Sequence, residues 1–264
     1  MKLYTQFVGG IGDILLRMMK PGTHLGYFPA LKARGDETMV TVHANTDATI
    51  ALFENLPYVD HTHFRAKRLR LNGPADYQLL KTWDGLPWQR PELALDDEEK
   101  NILESLTREP YVAVHVSASV LNKAIPDPDR LFAGLREANV RVILLGVETQ
   151  DDAPGIVGNR SDGIRRILRG FMPRPGAGFL LPPPKLRLQV VLAQRAAKFI
   201  GTLSCFNCAA QLAHVPSFVF VNRSIKDPGI YKLMADNGAR VETWNDGTKD
   251  IKRICREAVE WAHS

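Results

Sequence analysis

Phe7-Val8-Gly9-Gly10-Ile11-Gly12-Asp13-Ile14-Leu15 is the stretch that decides the architecture of this chain. The apolar run that leads into it, from Leu3 to Val8, reads as a short buried strand. Three glycines then turn the backbone, and an apolar segment follows with a helix start. Glycine lets the backbone approach a ligand closely and take conformations closed to other residues. Amides at a helix start point outward with partial positive charge, which suits an anionic group. Asp13 runs against a plain phosphate cradle, because a carboxylate at that spot repels phosphate. It points to a loop that does chemistry or binds a hydroxyl.

The strand-then-helix rhythm continues from end to end. Apolar runs predict strands at Lys2–Val8, Met39–His43, Tyr111–Val116, Arg141–Gly146, Lys198–Gly201 and Ser217–Val221. Helical patterns fall between them at Asp13–Lys20, Asp47–Asn55, Asp96–Leu106, Asp129–Ala138, Leu186–Arg195 and Asn207–Ala213. Such alternation implies an α/β protein with parallel sheets covered by helices on both faces, and the continuous apolar strands fit burial on both sides. Two stretches break the rhythm. Arg65–Pro91 is basic and carries Trp83 and Trp88, and Gly170–Pro184 holds a triple proline and reads as a loop. A boundary near Thr107–Pro110 gives a first domain over 1–107 and a second over 108–247. A terminal helix spans 248–264, with Ile251, Ile254, Ala258 and Trp261 on an apolar stripe able to pack on either half.

Composition narrows the function. The 264 residues are 45% hydrophobic and 24% charged, which favours a packed globular protein over disorder. No apolar run approaches the roughly 20 residues of a membrane span. The N-terminus enters a strand without a secretion-signal pattern, and three cysteines without such a signal fit a reducing cytoplasm. A net charge of +5 gathers at Arg65-Ala66-Lys67-Arg68-Leu69-Arg70, at Arg165-Arg166 and at Lys252-Arg253. These clusters read as solvated surface charge, or as contacts for anionic small substrates or an anionic membrane surface. Nucleic acid fits poorly, because aromatics do not interleave with the basic residues as a stacking platform requires.

Several elements, in order, resemble the glycosyltransferase family 9 proteins, the ADP-heptose:lipopolysaccharide heptosyltransferases and their relatives. The glycine–Asp loop Gly10-Ile11-Gly12-Asp13-Ile14-Leu15 is similar to the family's opening loop, and Phe28-Pro29-Ala30-Leu31-Lys32 to the proline-containing helical stretch after it. Thr41-Val42-His43 through Leu56-Pro57-Tyr58-Val59-Asp60 resembles the strand and helix that end in a P-x-V-D turn. Pro91-Glu92-Leu93-Ala94-Leu95 leads to Val112-Ala113-Val114-His115-Val116-Ser117-Ala118-Ser119, with Lys123 and Pro126 at the family's lysine and proline. Arg141-Val142-Ile143-Leu144-Leu145-Gly146 with Glu148 matches a strand-plus-Glu element, and Leu188 to Val221 the last helix-strand-helix-strand unit. One segment departs: an Asp-Ser/Thr-Gly triplet followed by His is replaced by Leu203-Ser204-Cys205-Phe206-Asn207-Cys208, which keeps only the hydroxyl of Ser204. The resemblance implies a GT-B fold, two Rossmann-type parallel-sheet domains facing across a cleft.

The resemblance also assigns chemistry. Inverting transfer removes a proton from the acceptor hydroxyl as it attacks, and Asp13 is the position for that general base, with Gly9, Gly10 and Gly12 lining the acceptor side. The residues alone leave capping of a helix beginning at Ile14 as the other reading. Ser117, Ser119 and Lys123 lie just beyond a buried strand, where open α/β sheets bind ligands. An ammonium and two hydroxyls there stabilise a leaving diphosphate without metal, or else form a solvated polar turn. Glu148 accepts from ribose hydroxyls or begins an exposed acidic run. Ser204 and Asn207 open a helix, either reaching a phosphate or capping. The Cys205-x-x-Cys208 pair allows a redox pair or simple packing against the sheet; zinc needs two further ligands that Cys255 and His214 do not obviously supply. His115, inside an apolar strand, reads as core, whereas His61 and His63 sit in a polar loop.

The expectation is a metal-independent, inverting glycosyltransferase without cofactor, moving a heptose-like sugar from an ADP-linked donor to an anionic glycan or glycolipid acceptor. Trp83, Trp88 and the Arg65–Arg70 cluster are candidates to hold that acceptor. The protein is expected in the cytoplasm, in peripheral contact with the inner face of the membrane. Two alternatives stand beside it: a degenerate relative that binds nucleotide or glycan without turnover, and a sugar-nucleotide epimerase or hydrolase.

Overall fold

A computed structural model describes residues 1–44, 47–66, 76–81, 83, 85–116, 125, 127–146, 179–180, 185–223, 228–244 and 248–264. The chain divides between Glu99 and Lys100 into two compact units, each with its own parallel sheet. The first holds β1 (Lys2–Val8), α1 (Ile11–Met19), a 3₁₀ turn (His24–Tyr27), α2 (Phe28–Ala33), β2 (Glu37–Ala44), a second 3₁₀ turn (Asp47–Leu52), β3 (His61–Ala66) and β4 (Gln78–Leu79). Helix α3 (Asp97–Leu106) spans the division. The second unit continues with β5 (Val112–His115), α4 (Pro128–Glu137), β6 (Val142–Leu144), β7 (Phe179–Leu180), α5 (Leu186–Arg195) and β8 (Lys198–Thr202). It ends with α6 (Cys205–Leu212), β9 (Ser217–Asn222), α7 (Pro228–Asp236), β10 (Arg240–Trp244) and α8 (Thr248–His263).

The first sheet has the order β3-β2-β1-β4 and the second β10-β9-β8-β5-β6-β7, every pair parallel. In both, the chain starts in the interior, winds outward to one edge, and returns to the other side of its first strand. The reversal lies between β1 and β4 in the first sheet and between β5 and β8 in the second. Ligands of open α/β sheets bind beyond the strand carboxyl ends at such a switch point. This topology therefore nominates the Gly9–Asp13 loop after β1, and in the second unit the ends of β5 and β8.

Period-two alternation sorts the first sheet. Leu3, Phe7, Val40 and Val42 share one face and are buried; Ile14, Leu15 and Met18 of α1 and Phe28 and Leu31 of α2 are buried as well. Phe7 and Phe53 meet with ring centroids 4.9 Å apart. The other face is polar: register sets Met39, Thr41 and His43 beside His61, His63 and Arg65, and Lys2 beside Glu37. The P-x-V-D turn has a structural task. Asp60 accepts from the Lys32 amine at 2.6 Å and from the Thr38 amide at 2.7 Å, tying the starts of β2 and β3 to α2. Those donors hold the Asp60 carboxyl below its usual range against the opposing effect of burial.

In the second unit, Val114, Leu144, Ile200, Phe218 and Phe220 of the sheet pack with Leu131, Phe132 and Leu135 of α4 and Ile254 and Ala258 of α8. The terminal helix thus belongs to this unit's core. The Lys198 amine donates to the carbonyl of Trp261 at 2.8 Å, satisfying a free acceptor at the end of α8.

Several expectations change. Asp47–Asn55 forms a 3₁₀ turn ending at Leu52, because Asn55 takes φ 61° and Pro57 cannot continue a helix. His61 and His63 lie on β3 instead of in a loop, and β7 lies inside the stretch read as the 170–184 loop. No helix among the described residues is long and apolar enough to cross a membrane.

Candidate functional site

At the first switch point the chain leaves β1 through Gly9, whose amide donates to the His43 carbonyl at 3.1 Å and whose φ is 138°. A Cβ on Gly9 would stand 2.7 Å from both Cβ and Oδ2 of Asp13, so the close approach and the positive φ both demand glycine. Gly10 is the N-cap of α1, and Ile11, Gly12 and Asp13 are its first three residues. Asp13 reaches back so that its Oδ2 accepts the Gly10 amide at 2.9 Å. The helix consequently starts at Ile11, two residues ahead of the sequence expectation, with a carboxylate against its positive end. Asp13 remains exposed, and its Oδ1 has no protein partner among the described residues. The carboxylate is therefore held by one oxygen and presented by the other.

His43, at the end of β2, is a residue that sequence reasoning left as ordinary strand. It is 1% exposed, and among the described residues both ring nitrogens lack a hydrogen-bond partner. Burial, then the charges of Arg65 and His63, keep its pKa below the usual histidine value. No pattern in the sequence announces such a residue, since it depends on where β3 pairs.

At the second switch point, His115 closes β5. Burial pushes its pKa down to about 3, and its ring meets Phe206 edge-on at 4.9 Å. Two glycines make room. A Cβ on Gly146, at φ 78°, would lie 2.6 Å from His115 Nε2, and one on Gly201 would lie 2.6 Å from the His115 carbonyl. Gln189 Oε1 accepts the Gly146 amide at 2.6 Å. The floor of this crevice is thus close-packed backbone and aromatic ring.

Ser204 is the N-cap of α6, with Oγ accepting the Asn207 amide at 3.2 Å. The Asn207 side chain does not reach outward. It is fully buried, with Nδ2 3.6 Å from Met234 Sδ and Oδ1 without a partner among the described residues. Cys205 and Cys208 form no disulfide, and burial raises the Cys205 thiol to about 12, away from redox reactivity. Among the described residues no three His, Cys, Asp or Glu side chains are grouped to hold a metal ion. Ser117, Ser119, Lys123, Pro126 and Glu148 lie outside the described residues, as do Arg68, Arg70 and Arg165-Arg166.

Solved structures share this architecture. An E. coli ADP-heptose lipopolysaccharide heptosyltransferase II aligns over 100% of this chain and 98% of its own, at 13% identity and a TM-score of 0.61. A glycosyl transferase family 9 protein from Veillonella parvula covers 97% of this chain and 88% of its own, at 10% identity and TM-score 0.56. An E. coli heptosyltransferase solved with ADP covers 99% and 96%, at 11% identity and TM-score 0.55. No protein-family model matches the sequence, and no curated protein matches it. The chain has the fold of these structures: an α/β protein of the GT-B type, with two parallel-sheet units.

Proposed function

We propose that this chain is an inverting, metal-independent glycosyltransferase that moves a heptose-like sugar from an ADP-linked donor to a glycan or lipopolysaccharide-type acceptor. The observation that supports it most is Asp13, an exposed carboxylate tethered through one oxygen at the first switch point, in a chain that shares its fold with heptosyltransferases along its whole length. In the proposed reaction Asp13 takes the proton of the acceptor hydroxyl. The acceptor oxygen bonds to the anomeric carbon from the face opposite the diphosphate, and the bond to the diphosphate breaks with its electron pair leaving on ADP. The configuration inverts. The second unit holds the donor. Amides at the start of α6, behind the Ser204 cap, face the diphosphate with the dipole's positive end, and Ser117, Ser119, Lys123 and Glu148 complete that side.

The test is a transfer assay with ADP-heptose and deacylated lipopolysaccharide oligosaccharide, with and without chelator, and NMR assignment of the product anomer. Asp13→Asn is expected to leave ADP affinity intact and cut transfer by roughly 10²-fold or more; an unchanged rate removes Asp13 from the mechanism. Loss of activity in chelator, or a retained anomer, overturns those parts of the reading. The replaced triplet at Leu203–Cys208 and the buried Asn207 favour one second reading, a protein that binds nucleotide sugar without turnover. Tight ADP-heptose binding with no product selects it.

A further inference from the structure

Elements of the second unit converge on Gly146, and the side chain that holds it there has no part in the proposed chemistry. Leu145 still donates to the β5 ladder, its amide to the Val114 carbonyl at 2.8 Å. The next amide, that of Gly146, is buried and takes a side-chain acceptor instead, Gln189 Oε1 at 2.6 Å. Only an oxygen accepts from an N–H, so this bond fixes which way the Gln189 amide is turned. Gln189 is placed in its turn by α5. Its backbone amide donates to the Lys185 carbonyl at 3.0 Å in the helix's first turn, and the residue is 1% exposed.

The rest of the setting is equally tight. Gly146 has φ 78°, and a Cβ on it would stand 2.6 Å from His115 Nε2 and 3.1 Å from Phe206 Cε2. Phe206 lies in the first turn of α6, two residues past the Ser204 cap, and is itself buried. The backbone leaving β6 is therefore tethered by Gln189 and packed on the end of β5 and the start of α6. The amides at that helix start are the ones the proposed reaction turns toward the diphosphate, at the carboxyl end of the sheet where open α/β folds take their ligands. Glu148, assigned to the same side, follows two positions later in sequence.

We propose that Gln189 is a positioning residue for the nucleoside diphosphate of the donor: through the Gly146 amide it holds the chain that leaves β6 against the start of α6. This rests on the glycosyltransferase reading and adds the residue that shapes its donor side. A buried amide without an acceptor is costly, so loss of Oε1 draws Gly146 out of its packing to find water. The wall must then be re-formed when nucleotide binds, and ordering a loop at that moment weakens affinity.

The experiment uses the full chain with ADP as the calorimetric probe. Gln189→Met keeps the side chain's length and removes the acceptor. A hydrogen bond to a buried amide is worth about tenfold in an equilibrium constant, so ADP Kd and donor KM are expected to rise about tenfold, with kcat and acceptor KM near wild type. Gln189→Glu, which restores an oxygen at the same reach, is expected to recover most of the loss. Tyr111→Phe is the control for general loosening. It removes the bond from the Tyr111 hydroxyl to the Leu192 carbonyl of the same helix, 2.7 Å long, at the other end of β5. It is expected to lower urea stability without changing ADP Kd. Reduced stability with unchanged ADP Kd in Gln189→Met overturns the positioning role, as does an equal rise in Kd in Tyr111→Phe; both leave the donor reading standing. A wild type that binds no ADP overturns the donor reading and the positioning role with it. Where Gln189→Met does not fold, the Gly146 amide resonance of the isotope-labelled wild type decides. It is expected to shift as ADP saturates the chain, and a resonance that stays in place overturns the proposal.

Discussion

Gly9→Ala is the sharpest probe of the loop at the first switch point. Two costs are superposed there. The backbone sits at φ 138°, and the new methyl would be 2.7 Å from Asp13 Cβ and Oδ2. Gly35 supplies the control, with φ 85° and no atom of the described residues within 4 Å of the position its Cβ would take. Gly35→Ala isolates the backbone cost, about 1–2 kcal/mol. Gly9→Ala adds displacement of the Asp13 carboxylate from the Gly10 amide, a capping interaction worth about 1 kcal/mol, for a total of about 2–3 kcal/mol. Gly10→Ala, with Asp13 Oδ2 at an ordinary 3.7 Å, is expected to be nearly neutral. Urea unfolding of the three variants gives the ranking directly. Equal losses for Gly9→Ala and Gly35→Ala would refute the close approach of Asp13 to Gly9. Under the proposed mechanism Gly9→Ala also loses transfer activity beyond its loss of stability, whereas Gly35→Ala does not.

Two further outcomes are expected. His115 has a folded pKa of about 3 against 6.5; the unfolded chain therefore binds the proton first, and the stability this residue confers is full above about pH 6.5 and is lost as pH falls toward 3. Between pH 7 and pH 5 this amounts to about 2 kcal/mol, so His115→Leu should show a pH dependence of urea stability shallower by that amount, and an unchanged slope contradicts the buried neutral imidazole. Ser204→Ala removes the cap on the Asn207 amide and is expected to cost about 1 kcal/mol, readable by the same unfolding assay; no loss means that the cap contributes nothing.

The interior of both sheets was legible in the sequence, and the borders were not. The six strands expected from apolar runs are β1, β2, β5, β6, β8 and β9, each flanked by strands on both sides in the described sheets. The four unforeseen strands, β3, β4, β7 and β10, are the four edges. A central strand is buried on both faces and reads as a continuous apolar run. His61-Thr62-His63-Phe64-Arg65-Ala66 and Arg240-Val241-Glu242-Thr243-Trp244 alternate instead, and two-residue strands leave no period to detect. At the site, the glycines and Asp13 were legible because their chemistry is local. His43, Gly146 and Gly201 were not, because what makes them special is a neighbour brought by strand pairing. Asn207 was misplaced for the same reason: its inward face depends on Met234, 27 positions away.

Those edges also bear on how the protein behaves when concentrated. An open sheet offers unpaired amides and carbonyls to any strand that drifts alongside, the first step toward aggregation. Among the described residues two borders are two residues long, β4 and β7, and short edges template a newcomer poorly. The other two carry polar and charged side chains: His61, His63 and Arg65 on β3, and Arg240 and Glu242 on β10, where Arg240 is already engaged by Glu242 and Glu257. Attempts to stiffen these strands with valine or isoleucine would strip away that protection and invite sheet-to-sheet association between molecules.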